Sequence, residues 1–171
     1  MQKILITGIQ GSGKTAVALE LATQGRPTID SDDISHWVDE NGTPLTDKRP
    51  NNPSATWLRT HAWVWDQGRL HACLNQALDH PLLLCGISWD QGQYYNLFDK
   101  IILLELDETT VRQRLLTRNN GGTFGKQPEE LQLILEKLKS FQDRAKAAGA
   151  IVIDARQPLD VVVEEIVYRI T

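Results

Sequence analysis

Eight residues near the start of the chain have the types and spacing of a phosphate-binding loop. Residues 8–15 read Gly-Ile-Gln-Gly-Ser-Gly-Lys-Thr and match the pattern G-x-x-x-x-G-K-[ST] at every fixed position. Lys14 can reach the β- and γ-phosphates, and Thr15 can offer its hydroxyl to Mg²⁺. The alternative is a glycine-rich turn that only joins a strand to a helix. We predict binding of a nucleoside triphosphate through Gly8, Gly11, Ser12, Gly13, Lys14 and Thr15.

A run of acidic residues follows the second predicted strand, where the sequence reads Ile-Asp-Ser-Asp-Asp over 29–33. The carboxyl ends of neighbouring parallel strands share one edge of a sheet, so we expect Asp30 and Asp32 to lie near the loop. Asp30 could hold Mg²⁺ through water, and Asp32 could bind an acceptor hydroxyl or take its proton. The alternative is that these acids only cap a helix that begins near Asp33.

Arginines lie on the fourth predicted helix, before a glycine-rich segment over 118–127. Arg114 and Arg118 are four residues apart and share a helix face, from which both could stabilise charge on a transferring phosphoryl group. We interpret 118–127 as a lid, with a plain linker as its alternative and a solvated basic face as the alternative for the arginines. Arg69, in the third predicted helix, is a candidate to hold an anionic acceptor.

Short apolar runs alternate with helical patterns along the chain, which predicts a parallel sheet covered by helices on both faces. The predicted strands are Lys3–Thr7, Pro27–Asp30, Leu82–Cys85, Lys100–Glu105 and Ala150–Ile153. The predicted helices are Lys14–Thr23, Asp32–Val38, Ser54–Leu78, Glu108–Arg118, Pro128–Ala148 and Leu159–Arg169. Asp107 is a predicted helix N-cap, and Gly149 is a predicted helix stop.

Composition limits the classes of function. The 171 residues, 41% hydrophobic and 23% charged, suit one soluble globular domain over 1–171. The net charge of -4 argues against a nucleic-acid partner, and no apolar run approaches the ~20 residues that span a membrane. The first strand does not read as a signal peptide, so we expect a cytoplasmic protein. We also expect a monomer or a homodimer. Cys73 and Cys85 lack zinc or redox spacing and read as reduced core residues.

Motifs of other nucleotide-binding classes are absent from the sequence. No strand ends in the paired Asp-Glu of motor and remodelling ATPases, and there is no Asn-Lys-x-Asp guanine-reading motif or D-x-x-G switch. These absences favour a small-molecule kinase over a motor or a GTPase.

Taken in order, these features resemble the nucleoside-monophosphate-kinase-like group of P-loop kinases over nearly the whole chain. Asp30, Asp32 and Gly86, the last at the end of the third strand, look most like the shikimate and gluconate kinases. The resemblance implies an α/β three-layer sandwich with a five-stranded parallel sheet in the order 2-3-1-4-5, and ATP with Mg²⁺ as cofactors. It also implies that Asp30 serves the metal, Asp32 the acceptor hydroxyl, Gly86 the approach of the acceptor and Arg156 the adenine.

Two further segments, 86–95 and 124–130, resemble a less characterised set of small bacterial ATP-binding proteins. The first of these segments carries Trp89, Gln91 and Tyr94, and it is a candidate acceptor pocket. A surface loop with a packed aromatic anchor is the alternative.

The sequence therefore predicts an ATP- and Mg²⁺-dependent phosphotransferase that acts on a small polar metabolite or nucleotide. The rival hypothesis is an ATP-binding regulatory module with little or no kinase activity, whose lid closes to create a protein interface. A kinase acting on nucleic-acid ends is a weaker third hypothesis, which the acidic composition disfavours.

Overall fold

The strands and helices alternate along the chain in this computed structural model, which describes residues 2–46, 49–76, 79–119 and 123–171. The strands are β1 (Lys3–Thr7), β2 (Thr28–Asp30), β3 (Ser35–Val38), β4 (Ala62–Trp65), β5 (Leu82–Cys85), β6 (Lys100–Glu105) and β7 (Ile151–Asp154). The α-helices are α1 (Lys14–Thr23), α2 (Ala55–Thr60), α3 (Gln67–Leu74), α4 (Glu108–Thr117), α5 (Pro128–Ala147) and α6 (Leu159–Ile170). Two 3₁₀ segments cover Ser31–Ile34 and Gln91–Leu97.

Within the described ranges, five strands form one parallel sheet in the order β2-β5-β1-β6-β7. Numbered as the five strands predicted from the sequence, this is the order 2-3-1-4-5, so the predicted fold class is confirmed. In the central register, Leu5 lies beside Leu84 on one side and Ile101 on the other. The carboxyl ends of β1, β2 and β5 therefore share one edge, where the phosphate-binding loop begins.

The sheet is buried on both faces, which explains why its strands are nearly continuous apolar runs. Ile4 and Ile6 pack into a core with helices α1, α4, α5 and α6, whereas Leu5 points to the other core, which includes residues of α3. All three side chains are fully buried. Successive strand residues point to opposite faces, so one strand supplies both cores.

The predicted helix over Asp32–Val38 is wrong. The acidic residues form a 3₁₀ turn over Ser31–Ile34, and the next four residues form strand β3. Asp30 caps the turn, because its Oδ1 accepts a hydrogen bond from the backbone N–H of Asp32 at 2.9 Å. A capped turn and a partner strand far along the chain take precedence here over local helical spacing.

The predicted long helix over Ser54–Leu78 is also wrong, and its last two residues lie outside the described ranges. Helix α2 is capped by Ser54 and α3 by Asp66, with strand β4 between them. Strand β4 reads Ala-Trp-Val-Trp, a β-branched and aromatic composition that favours extended backbone. It pairs antiparallel with β3, placing Trp37 opposite Trp63. This antiparallel pair of strands was missed because the two strands are far apart in sequence.

Two of the predicted helix boundaries agree closely with the structure. The Oδ1 of Asp107 accepts a hydrogen bond from the backbone N–H of Thr110 at 2.8 Å, as expected of an N-cap. Helix α5 ends at Ala147, and Gly149 follows with a φ of 84°. In the part of the chain that the structure describes, no helix is long and apolar enough to cross a membrane.

Candidate active site

The loop between β1 and α1 presents free backbone donors to a large cavity. Gly13 precedes α1 with a φ of 92°, a conformation that favours glycine, and no side chain caps the helix. The first N–H groups of α1 are thus left for an anion, which the helix dipole also favours. The Ser12 side chain is buried, and its Oγ has no hydrogen-bond partner among the described residues. These features fit the phosphates of a nucleotide.

Lys14 folds back over its own loop. Its Nζ donates hydrogen bonds to the carbonyl oxygens of Gly8 at 2.8 Å and Ile9 at 3.1 Å. Burial lowers the pKa of Lys14 to about 8, although nearby acidic groups, Asp32 among them, oppose this shift. The ammonium is therefore poorly solvated, and a phosphate would stabilise its charged form.

Two carboxylates share the cavity with the loop. Asp30 and Asp32 both line it, as does Thr15. Partial burial, and then the negative charge of Asp30, raise the pKa of Asp32, while a hydrogen bond from Trp63 Nε1 to Asp32 Oδ1 at 3.3 Å opposes the shift. A raised pKa makes Asp32 a stronger proton acceptor than an ordinary aspartate.

The two predicted arginines lie at the end of α4. Arg114 donates hydrogen bonds to Gly11 O at 3.4 Å and to Ala155 O at 2.8 Å, so it joins the phosphate loop to the segment after β7. Arg118 donates to Phe124 O, and its buried Nε has no partner among the described residues. Both guanidinium groups line the cavity.

The buried carboxylate of Glu130 connects two segments that are distant in the sequence. The Glu130 side chain is 1% exposed and forms an ion pair with Arg49, 81 residues earlier in the chain. Its Oε2 accepts a hydrogen bond from the backbone N–H of Gly125 at 2.7 Å. Glu130 thus joins the loop before α2 to the end of the predicted lid. Residues 120–122 of that lid lie outside the described ranges.

One cavity of about 880 Å³ brings most of the predicted site residues together. It is lined by Gly11, Ser12, Gly13, Lys14, Thr15, Asp30, Asp32, Gly86, Arg114 and Arg118. The predicted residues that do not line it are Gly8, Arg69, Gln91 and Arg156.

The four predicted residues outside the cavity have structural partners instead. Arg69 donates to Asp33 O at 3.3 Å, and Gly8 packs so closely that an added Cβ would lie 2.8 Å from Leu104 O. Arg156 is paired with two aspartates and lowers the pKa of one of them, Asp154. The binding roles predicted for these four residues stay predictions.

Gln91 is a buried residue of the candidate acceptor loop. Its Oε1 accepts hydrogen bonds from Thr7 Oγ1 and the Ser88 N–H, both at 3.1 Å, and its Nε2 donates to the Tyr95 hydroxyl at 2.8 Å. The side chain therefore braces the loop that follows β5 against β1. Gln91 does not line the cavity, and its predicted contact with the acceptor stays a prediction.

Gly86 lines the cavity but is also closely packed. A Cβ on this residue would overlap Ser31 Oγ and Cβ, and Ser31 is fully buried. The Ser31 hydroxyl accepts a hydrogen bond from the Ile87 N–H at 3.1 Å. A glycine is needed here because strand β5 and the acidic turn approach each other closely.

Several cavity residues had no role in the sequence-based hypothesis. Arg49, Trp63 and Phe124 line the cavity beyond Asp32. The concentration of tryptophans in the segment 57–65 was a visible signal for Trp63, but assigning that segment to one helix concealed it. Arg49 carried no local signal, because its partner Glu130 lies on a distant helix.

The cysteines agree with their predicted role. Cys73 and Cys85 are buried and free. Burial raises the pKa of Cys85 to about 12, so its thiol stays protonated at neutral pH. Both therefore contribute to the core as small apolar side chains.

Comparison with known proteins places this geometry in a family. The AAA domain family matches residues 4–132, which include the phosphate loop, the acidic turn and the glycine-rich segment. The chain belongs to the AAA domain family. This AAA domain protein is also 26% identical to dephospho-CoA kinase from Symbiobacterium thermophilum over 191 aligned positions, covering 94% of this chain and 76% of that relative.

The AAA domain protein is similar in fold to solved kinases. Shikimate kinase from Acinetobacter baumannii in complex with shikimate gives a TM-score of 0.62 at 16% identity, covering 99% of this chain and 93% of the other. A gluconokinase from Sinorhizobium meliloti 1021 gives a TM-score of 0.56 at 23% identity, covering 96% and 88%. The predicted resemblance to P-loop kinases is confirmed, and at these identities the solved structures establish the fold alone.

The donor set of this AAA domain protein fits a magnesium nucleotide. Mg²⁺ is usually held by one or two carboxylates together with substrate phosphates, and here Thr15, Asp30 and Asp32 line the same cavity as the phosphate loop. Among the described residues, no cluster of three or more His, Cys, Asp or Glu side chains could hold a metal ion by itself.

Proposed function

We propose that the protein transfers the γ-phosphoryl group of ATP, with Mg²⁺, to a hydroxyl group of a small polar metabolite or nucleotide. The observation that carries this proposal is the placement of Lys14 and Asp32 in one cavity, close enough for their charges to influence each other's pKa. A phosphate-binding lysine facing a carboxylate is the arrangement that phosphoryl transfer to an alcohol requires.

The residues take distinct roles in this proposal. The loop N–H groups and Lys14 bind the β- and γ-phosphates, and Thr15 and Asp30 would hold Mg²⁺, which supplies charge neutralisation when bound. Arg114 and Arg118 line the cavity and would stabilise charge on the transferring group. No base-specific contact to adenine follows from Arg156, which is paired with acids.

Asp32 acts on the acceptor. Its carboxylate orients the acceptor hydroxyl and receives the proton as the acceptor oxygen forms its bond to phosphorus and the bond to ADP breaks. The raised pKa of Asp32 suits this role, because the carboxylate binds a proton more readily than an ordinary aspartate. The Trp63 Nε1–H holds Oδ1, which fixes the carboxylate's orientation.

An Asp32→Asn variant tests the proposal against the regulatory-module hypothesis. We expect the rate of phosphoryl transfer to fall by at least ~100-fold if Asp32 is the base, with little change in nucleotide affinity. Asp33→Asn is the matched control, because Asp33 lies on the same turn but does not line the cavity. Unchanged transfer in Asp32→Asn would contradict its role, and nucleotide binding without transfer in the wild type would favour the regulatory module.

A further inference from the structure

The cavity has two chemically different halves. The phosphate half is formed by the loop, Lys14 and Arg114, whereas the half beyond Asp32 is formed largely by aromatic side chains. We call Trp37, Trp63 and Phe124 the aromatic wall. All three are half-buried and line the cavity, so their rings are partly open to a bound molecule.

Strands β3 and β4 and the predicted lid form the aromatic wall from distant parts of the chain. Cross-strand pairing of β3 with β4 sets the Trp37 and Trp63 ring centroids 5.5 Å apart. Phe124 approaches from the other side, with its ring centroid 6.1 Å from that of Trp37. A second tryptophan contact, between Trp37 and Trp57 at 5.0 Å, supports the wall from behind, because Trp57 does not line the cavity.

The aromatic wall begins at the proposed base. The Trp63 indole N–H donates to Asp32 Oδ1 at 3.3 Å, so the carboxylate sits at the edge of an aromatic ring. An acceptor whose hydroxyl reaches Asp32 therefore extends the rest of its body along the wall. Stacking of a planar ring on an aromatic side chain contributes about 1–3 kcal/mol for a nucleic-acid base.

Of the two arginines beside the aromatic wall, one is already neutralised. Arg49 is paired with the buried Glu130 and lies 5.3 Å from the Phe124 ring centroid. An acceptor carboxylate or phosphate would have to displace Glu130, leaving a buried carboxylate unpaired. The other, Arg118, donates to Phe124 O, and in the proposed function its positive charge is taken by the transferring phosphoryl group.

We infer that the acceptor is an uncharged alcohol that carries a planar heteroaromatic ring, as a nucleoside does, with its ring against the aromatic wall and its hydroxyl at Asp32. This inference rests on the proposed function for the reaction itself. It separates the acceptor from hydroxy acids, which lack such a ring and carry a negative charge.

Calorimetric titration of the full chain tests the inference. The protein is saturated with Mg²⁺ and a non-hydrolysable ATP analogue, then titrated with adenosine, cytidine and thymidine, and separately with gluconate and shikimate. We expect at least one nucleoside to bind, and the two hydroxy acids to bind at least roughly tenfold more weakly. Transfer from ATP to the same compounds is measured independently.

Two substitutions at Trp63 locate the ring. Trp63→Leu removes the stacking face and the N–H that holds Asp32, and should weaken nucleoside binding by about 5- to 150-fold. Trp63→Phe loses the N–H but keeps a ring, so it should bind nucleosides more tightly than Trp63→Leu does. Trp57→Leu is the matched control, since Trp57 belongs to the same cluster without lining the cavity. It should lose less affinity for nucleosides than Trp63→Leu does, and melting curves of each variant show whether it is folded.

The outcomes separate this inference from the proposed function. Absence of nucleoside binding, or equal losses in the Trp63→Leu and Trp57→Leu variants, overturns the inference. Transfer to a hydroxy acid without nucleoside binding overturns it too, and leaves the proposed function standing. Nucleoside binding that depends on Trp63, without transfer to any compound, supports the ring site and contradicts the proposed function.

Discussion

Replacing Gly86 with alanine tests whether this glycine is required for close packing of the fold. The added Cβ would overlap Ser31 Oγ and Cβ and would lie 3.3 Å from Ser31 Cα. Overpacking of a buried site costs about 1–3 kcal/mol. Displacing the Ser31 hydroxyl also leaves the buried Ile87 N–H without its partner, at about 1–3 kcal/mol. We expect the free energy of unfolding to fall by about 2–6 kcal/mol.

Chemical denaturation of Gly86→Ala and the wild type measures this difference. Gly92→Ala is the matched control, because no atom beyond its adjacent residues lies within 4 Å of the position its Cβ would occupy. Its unfolding free energy should change by less than about 0.5 kcal/mol. In a Ser31→Gly background the overlapping atoms are gone, so the cost of Gly86→Ala should fall. A Gly86→Ala protein as stable as Gly92→Ala would refute the packing argument and return Gly86 to its predicted role in approaching the acceptor.

Two further predictions concern charged side chains. With a folded-state pKa of about 8 against 10.5 for the ordinary value, Lys14 binds fewer protons in the folded than in the unfolded chain between these values. The unfolding free energy of the wild type relative to Lys14→Met should therefore rise with pH over that window, and a flat difference would contradict it. Glu130→Gln breaks the pair with Arg49 and should cost about 2–4 kcal/mol of stability. The exposed neighbour Glu129→Gln should cost less than about 0.5 kcal/mol, and equal losses would contradict a role for the pair.

The central sheet could be predicted because its information is local. Strands β1, β5 and β6 have the predicted boundaries, since each is a continuous apolar run buried on both faces. The phosphate loop is likewise one contiguous motif. The acidic residues after β2 could be placed beside the loop as well, because the carboxyl ends of neighbouring parallel strands share one edge of the sheet.

The acceptor half of the cavity could not be predicted, because it depends on contacts between distant segments. Pairing of strands β3 and β4 places Trp37 opposite Trp63, and neither strand is stable without the other. The ion pair of Arg49 with Glu130 spans 81 residues. Arg69 was predicted from the affinity of a guanidinium group for anions, which says nothing of its tertiary contacts, and in the fold it donates to Asp33 O.

Transfer of labelled γ-phosphoryl from ATP to an organic acceptor tests the central claim most directly. The wild type and Lys14→Ala are incubated with Mg²⁺, labelled ATP and the nucleosides and hydroxy acids named above, and the products are separated. The proposed function predicts label on an organic acceptor with the wild type and its loss, by at least roughly 100-fold, in a folded Lys14→Ala protein. Label that appears only as inorganic phosphate, or unchanged transfer by folded Lys14→Ala, would contradict it.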